Sequence, residues 1–197
     1  MKIYCLGDSL TEGDYGVYGK RGIANIQPKN YPKFLAELSG ATVVNCGKCG
    51  YRTTDYLRYY DSGNVQLQDG DIIIIMLGTN GGLDPEQETP ENLAYRQLLD
   101  RCGTDAPSAH IYLCTPPHAS EDPNKPHFEK APQVKKAVAF VRKLAMEYDL
   151  PVIELALCPD FTAENEHIMQ PNDGLHYGEI GYQVMAKFIF NAIKDRL

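Results

Sequence analysis

Apolar runs and stretches of helical periodicity alternate along the chain. The apolar runs predict five strands, at residues 2–6, 42–45, 71–77, 110–114 and 151–154. Residues 72–75 are continuously apolar, which is typical of a central parallel strand covered on both faces. The sheet is therefore predicted to be parallel.

Helical patterns fill the intervals between these runs. Residues 31–38 are followed by Gly40, a residue type that commonly ends a helix. Further helices are predicted at 91–102 and 178–196, and an apolar stripe at helical spacing marks another, comprising Val134, Val138, Val141, Leu144 and Ala145. This alternation predicts an α/β protein: a three-layer α/β/α sandwich, flavodoxin-like, whose five-stranded parallel sheet carries helices on both faces.

Length and charge narrow the possible partners. The 197 residues suit a single domain, 1–197, with a proper core. A net charge of −7 argues against nucleic acid or an anionic membrane surface as the main partner and favours a small neutral or weakly polar substrate.

The longest apolar run, 72–77, is strand-sized, so no membrane span is expected. The opening MKIYCLGDSL shows no export signal, and a cytoplasmic location is expected unless a leader has been removed.

Six cysteines are spread over the chain, and reduced, buried thiols are expected because a core of this size needs no disulfides. The exception is CGKC, from Cys46 to Cys49, a spacing that fits redox chemistry or half of a zinc site. No second CxxC or HxxxH accompanies it, so no metal is expected.

The segment IYCLGDSLTEGDYG places Ser9 just after the first predicted strand, at the edge where open α/β sheets bind ligands. A serine there is either a helix cap or a nucleophile, and a nucleophile needs an imidazole held by a carboxylate. Of the five histidines, His176 alone has a well-placed carboxylate, Asp173, three residues earlier in PNDGLHYGEIGY. Such a pair is either catalytic or caps the last helix.

Two other loops offer hydrogen-bond donors for an oxyanion. NCGKCGYRTT contains Gly47 and Gly50, where the missing Cβ lets a backbone N–H approach a ligand, and IIIIMLGTNGG supplies the Asn80 amide. Taken singly, the glycines fit plain turns and Asn80 fits an Asx-turn. Taken together with Ser9 and His176, they are predicted to share one edge of the sheet.

The proline-rich segment 115–132 follows the fourth strand and should lie over that same edge. It is either a lid or substrate-binding loop or an ordinary surface connection.

Four blocks occur in order: GDSL at 7–10, N-x-G-x-x-G at 45–50, GTN at 78–80 and D-x-x-H at 173–176. This set resembles the signature blocks of the SGNH, or GDSL, hydrolase family. The resemblance implies an esterase or lipase-type serine hydrolase with a flavodoxin-like three-layer fold and no cofactor. It assigns Ser9 as nucleophile, His176 as general base then acid, and Asp173 as the orienting carboxylate. It places the oxyanion hole at the Ser9 N–H, the N–H of Gly50, the later glycine of its block, and the Asn80 amide.

The chain departs from the family pattern at two places. Tyr51 and Arg52 follow Gly50, where members often carry aspartate, so a bulkier wall is expected; Arg52 either contacts a polar substrate group or faces solvent at the start of a helix. Gly81 replaces a common acidic residue and is expected to leave an open position. The resemblance also explains Cys46 and Cys49 as small residues of the second block.

The function expected is hydrolysis of carboxylic esters through an acyl-Ser9 intermediate. The short proline-rich loop and the absence of an apolar cap favour short acyl groups, such as acetyl on a carbohydrate. The alternatives are a lysophospholipase or thioesterase acting on longer chains, a non-catalytic binding module on the same fold, and a redox protein of flavodoxin-like shape.

Overall fold

A computed structural model describes residues 1–17 and 26–197. Its five strands form one parallel sheet in the order β2-β1-β3-β4-β5. This is the flavodoxin-like order, as predicted, and each strand lies within two residues of its predicted limits. The strands are β1 (Lys2–Gly7), β2 (Thr42–Gly47), β3 (Ile72–Met76), β4 (His110–Cys114) and β5 (Val152–Ile153).

Seven α-helices occur within the described ranges. They are α1 (Ser9–Glu12), α2 (Tyr31–Ser39), α3 (Thr53–Tyr59), α4 (Pro90–Asp105), α5 (Ala131–Tyr148), α6 (Glu166–Met169) and α7 (Glu179–Ile193). Helix α2 ends at Gly40 in the left-handed conformation, with φ of 68°, as its sequence predicts. Helix α7 is shorter than predicted because the chain continues as a 3₁₀ turn over Lys194–Arg196.

The helices cover both faces of the sheet, which confirms the three-layer sandwich. Alternate residues of β1 point to opposite sides: Ile3 packs with α2 and α7, whereas Tyr4 packs with α3, α4 and α5. Every residue of β3 is buried, because helices cover it on both sides.

The predicted apolar stripe of α5 is correct except at Val138, which is half-buried. The fully buried stripe instead includes Ala137 and Phe140 beside Val134, Val141, Leu144 and Ala145. Val138 packs against a small separate cluster of Ala119, Ala131, Val134 and Leu175.

The carboxyl edge of the sheet collects the loops that hold the predicted site. Gly47 ends β2 directly beneath α1, where an added Cβ would lie 2.1 Å from the Glu12 backbone nitrogen. The loop after β4 crosses the same edge, as predicted: the Ser120 N–H donates to the Gly174 carbonyl at 2.7 Å. This loop ends at Lys130, since α5 already begins at Ala131.

In the described parts of the chain, no helix combines the length and apolarity needed to cross a membrane.

Candidate active site

Ser9 is the first residue of α1 and is 2% exposed. It does not cap the helix: Asp8 does, its Oδ1 accepting the Leu10 N–H at 3.1 Å. The helix is a single turn because Gly13 follows at φ of 110°. The Ser9 hydroxyl is therefore not used in capping, and its Oγ lies 2.8 Å from His176 Nε2.

The turn before α7 holds Asp173 and His176 together. Asp173 Oδ2 lies 2.6 Å from His176 Nδ1, and Asp173 Oδ1 accepts the backbone N–H groups of Leu175 and His176 at 3.0 and 2.9 Å. The imidazole thus donates from Nδ1 to the carboxylate, which leaves Nε2 to accept the Ser9 hydroxyl hydrogen. The three side chains that the sequence singled out form one continuous hydrogen-bonded chain.

Burial and hydrogen bonding oppose each other at this pair. Burial disfavours the Asp173 carboxylate, but the hydrogen bond and charge of His176 and two backbone N–H groups outweigh it, so its pKa lies well below the usual range. Burial likewise lowers the pKa of His176, yet Asp173, Asp14 and Asp8 together raise it above its ordinary 6.5. These carboxylates therefore make His176 a stronger base than a free imidazole.

The predicted donors lie on the neighbouring loops. Gly50 has φ of 78°, and the space where a Cβ would stand is open. The Asn80 amide nitrogen donates to the Tyr51 carbonyl at 2.9 Å, which joins the loop after β3 to the loop after β2. Asn80 is thereby held beside the Gly50 segment by one N–H and retains a second.

The two positions that depart from the family pattern, Gly81 and Arg52, have different outcomes in the structure. Gly81 does not leave an open position: an added Cβ would lie 1.9 Å from Gln133 Oε1, so a side chain from α5 fills that place. Arg52 is exposed and opens α3, its backbone N–H donating to Asp55 Oδ2 at 3.2 Å. This geometry matches the solvent-facing alternative.

Two residues near the imidazole were not predicted. Asp14 is fully buried, with Oδ2 3.7 Å from His176 Nε2, and His127 Nε2 lies 3.7 Å from Asp173 Oδ2. No spacing in the sequence links either to His176, because tertiary folding brings them together. The expectation that only His176 has a carboxylate partner is also wrong, since His118 Nε2 lies 2.7 Å from Glu166 Oε1, 48 residues away.

One group of donors has a spacing that a metal ion could use: nitrogen and oxygen atoms of His127, Asp173 and His176 lie within 4.8 Å of one another. Asp173 and His176 are already engaged with each other and with Ser9, however. The donor set is therefore better explained as part of a hydrogen-bond chain than as a metal cage.

The six cysteines are free thiols, and all but Cys49 are buried. Burial raises the pKa of Cys46 to about 11, although the charge of Lys48 acts to lower it. Burial and then the charge of Asp14 raise the pKa of Cys49 to about 12. Neither is a thiolate at neutral pH, which disfavours the redox interpretation of CGKC.

Comparison with known proteins places the chain in a family. The model of the GDSL-like lipase/acylhydrolase family matches residues 5–184. The chain therefore belongs to this family of hydrolases, and the resemblance noted in its sequence is confirmed. No curated protein matches it.

Several solved structures share the fold. A lipase/acylhydrolase from Enterococcus faecalis is 23% identical, with a TM-score of 0.71 over 100% of this chain and 96% of that one. An aryl esterase from M. smegmatis is 21% identical, with a TM-score of 0.75 over 100% and 99% of the two chains. A carbohydrate acetylesterase from Sinorhizobium meliloti is 20% identical, with a TM-score of 0.72 over 100% and 99%. At these identities the likeness concerns the fold.

Proposed function

We propose that this hydrolase cleaves carboxylic esters through an acyl-serine intermediate on Ser9. The observation that carries the proposal is the hydrogen-bonded chain from Ser9 Oγ to His176 Nε2, at 2.8 Å, and from His176 Nδ1 to Asp173 Oδ2, at 2.6 Å. A hydroxyl next to an oriented, basic imidazole is the arrangement that nucleophilic acyl transfer requires.

The reaction follows from this geometry. Ser9 Oγ attacks the ester carbonyl carbon while His176 Nε2 takes the hydroxyl proton, and the carbonyl electrons move onto oxygen. As the tetrahedral intermediate collapses, the bond to the alcohol oxygen breaks and His176 returns the proton to that oxygen. Water then attacks acyl-Ser9 with His176 again as base, which releases the carboxylic acid and restores the hydroxyl.

Three donors are proposed for the oxyanion: the N–H of Ser9, the N–H of Gly50 and the amide of Asn80. The Ser9 N–H belongs to the first residue of a helix, where backbone N–H groups have no partner within the helix. The bond from Asn80 to the Tyr51 carbonyl holds its amide beside Gly50. Each such donor typically contributes about 3 kcal/mol to transition-state stabilisation.

We propose short acyl groups on a carbohydrate alcohol as the substrate class. A polar cleft of about 360 Å³ starts at Tyr51 and is lined by tyrosine, charged and amide side chains: Tyr51, Asp55, Arg58, Tyr59, Ser62 and Asn64. Aromatic faces and polar groups of this kind suit the faces and hydroxyls of a sugar. The fold shared with a carbohydrate acetylesterase agrees with this proposal.

The test is the initial rate on p-nitrophenyl esters from acetate to palmitate and on an acetylated sugar, for the wild type and Ser9→Ala. We expect hydrolysis of the short esters and a fall in kcat/KM of at least about a thousand-fold in Ser9→Ala. Ser39→Ala is the matched control. Ser39 lies in α2, where its Oγ donates a hydrogen bond to the Leu35 carbonyl, and it has no part in the site.

Full activity in Ser9→Ala would overturn the mechanism. A clear preference for long chains would instead indicate a lysophospholipase or thioesterase. Absence of turnover on every ester, in a protein that also resists labelling by a fluorophosphonate probe, would favour a non-catalytic binding module.

A further inference from the structure

A second carboxylate stands next to the imidazole, on the side opposite Asp173. Asp14 is fully buried, and its Oδ2 lies 3.7 Å from His176 Nε2, the nitrogen that also contacts Ser9. Asp14 lies just after the end of α1, outside the four signature blocks. His176 is therefore flanked by a carboxylate at each ring nitrogen.

The protein holds Asp14 rigidly in this place. Its Oδ1 accepts the Gly16 N–H at 2.9 Å, its Oδ2 faces the Cys49 thiol at 3.6 Å, and its backbone carbonyl accepts the Tyr182 hydroxyl at 2.6 Å. These contacts come from the loop after β2 and from α7 as well as from the local turn. These three contacts oppose movement of the carboxylate toward water when a charge forms beside it.

Within residues 1–17 and 26–197, the other titratable groups identified around the imidazole come from three segments. Asp173 lies on the same turn, Asp8 lies at the start of α1, and His127 reaches Asp173 from the loop after β4. The Cys49 thiol contacts Asp14 rather than the imidazole. Of these groups, Asp14 is the one recorded as an ion pair at Nε2, where the Ser9 proton would arrive, with its carboxylate oxygen 3.7 Å away.

We infer that Asp14 is a positioning residue that acts through His176, stabilising the imidazolium formed when Nε2 takes the Ser9 proton. The effect of Asp14 on catalysis rests on the proposed function. A negative charge at 3.7 Å favours the charged ring in both the free enzyme and the transition state. The same charge that makes His176 a stronger base also confines activity to higher pH, since the base must be neutral to act.

The experiment compares the pH dependence of kcat/KM on p-nitrophenyl acetate for the wild type and Asp14→Asn. In Asp14→Asn we expect the midpoint of the acid limb to fall by about one pH unit, because the ring loses a favourable charge. We also expect the high-pH plateau to fall by roughly 3- to 10-fold, because His176 becomes a weaker base. Asp14→Ser, which keeps an acceptor for the Gly16 N–H, serves as the second variant if the asparagine variant does not fold.

The matched control is Asp71→Asn. Asp71 is also a buried carboxylate, but it accepts the Lys2 N–H at 2.6 Å at the opposite edge of the sheet. Its removal should change stability and leave the midpoint in place. If the midpoint of Asp14→Asn or Asp14→Ser also stays at the wild-type value, the inference is wrong and Asp14 is only structural.

A titration that does not need activity separates this inference from the proposed function. The His176 ring is followed by proton NMR in Ser9→Ala with and without Asp14→Asn, and its signal is assigned by its loss in His176→Asn. A drop of about one unit in the His176 pKa supports the role of Asp14 even if no ester is cleaved. An unchanged pKa contradicts it even if the enzyme is fully active.

Discussion

Asp8 positions Ser9 but, at neutral pH, carries a buried charge that destabilises the fold. It caps α1 and so positions Ser9, yet it is fully buried. Burial raises its pKa to about 6, although the Leu10 N–H, Thr79 and the charge of His176 oppose the change. At neutral pH the protein therefore holds a carboxylate charge at a place that disfavours it, beside the imidazole whose pKa it raises.

The substitution Asp8→Asn should stabilise the protein near neutral pH. The raised pKa of Asp8 stabilises the fold below about pH 4, and this contribution is lost as the pH rises through about 6. Asparagine caps a helix about as well and carries no charge, so we expect a gain of roughly 1 to 3 kcal/mol at about pH 7.5 and little gain at about pH 4. Urea unfolding at both values measures this; an equal gain at the two pH values would contradict the assigned cause.

At the scale of elements, the short helices owe their limits to partners that are distant in sequence. Helix α3 begins where Glu91 of α4 accepts the Thr53 hydroxyl at 2.6 Å and the Thr54 N–H at 2.8 Å. The four-residue helix α1 rests on Gly47 of β2. Neither helix is long enough to show an apolar period, so periodicity predicted α2, α4, α5 and α7. Helices α1 and α3 appeared in the sequence only as possible helix starts at Ser9 and Arg52, and α6 was not located.

The contact between β2 and α1 predicts unequal effects of two glycine-to-alanine changes. Gly47→Ala would push a methyl group against the Glu12 backbone and should cost at least about 2 kcal/mol, with loss of activity because Ser9 moves with α1. Gly103→Ala lies in α4 with open space around it and should stabilise by about 0.5 kcal/mol. Denaturant midpoints and ester hydrolysis of both variants provide the test. Equal stability of the two variants would show that α1 is free to shift away from β2.

At the scale of the whole molecule, the sheet supplies one edge where four loops meet. The buried cysteines are distributed between the two hydrophobic clusters that lie on opposite faces of the sheet. Cys5 and Cys114 lie on the side of α2 and α7, and Cys46 and Cys102 lie on the side of α3 and α4. Burial raises the pKa of each of these thiols, so the native fold protects them together.

Native protein at neutral pH should therefore react slowly with a thiol reagent such as dithionitrobenzoate, with half-buried Cys49 as the first to react. All six thiols should titrate on unfolding. Activity should not depend on added reductant. Rapid modification of two thiols in the native state, or reversible formation of a Cys46–Cys49 disulfide, would restore the redox interpretation.

The sequence by itself determined the layers, the strand limits to within two residues and the local pair of Asp173 and His176. The layers and strand limits follow from periodicity, which reflects which face of each helix or strand is buried. The pair of Asp173 and His176 follows from closeness in sequence, because the two residues are joined within one turn. Only the tertiary structure decided that Ser9 reaches His176 across 167 residues, that Gln133 fills the place beside Gly81, and that Asp14 stands at the second ring nitrogen. The physical reason is that spacing along the chain records contacts within a turn or a strand, whereas the sheet edge brings together loops whose separations follow no period.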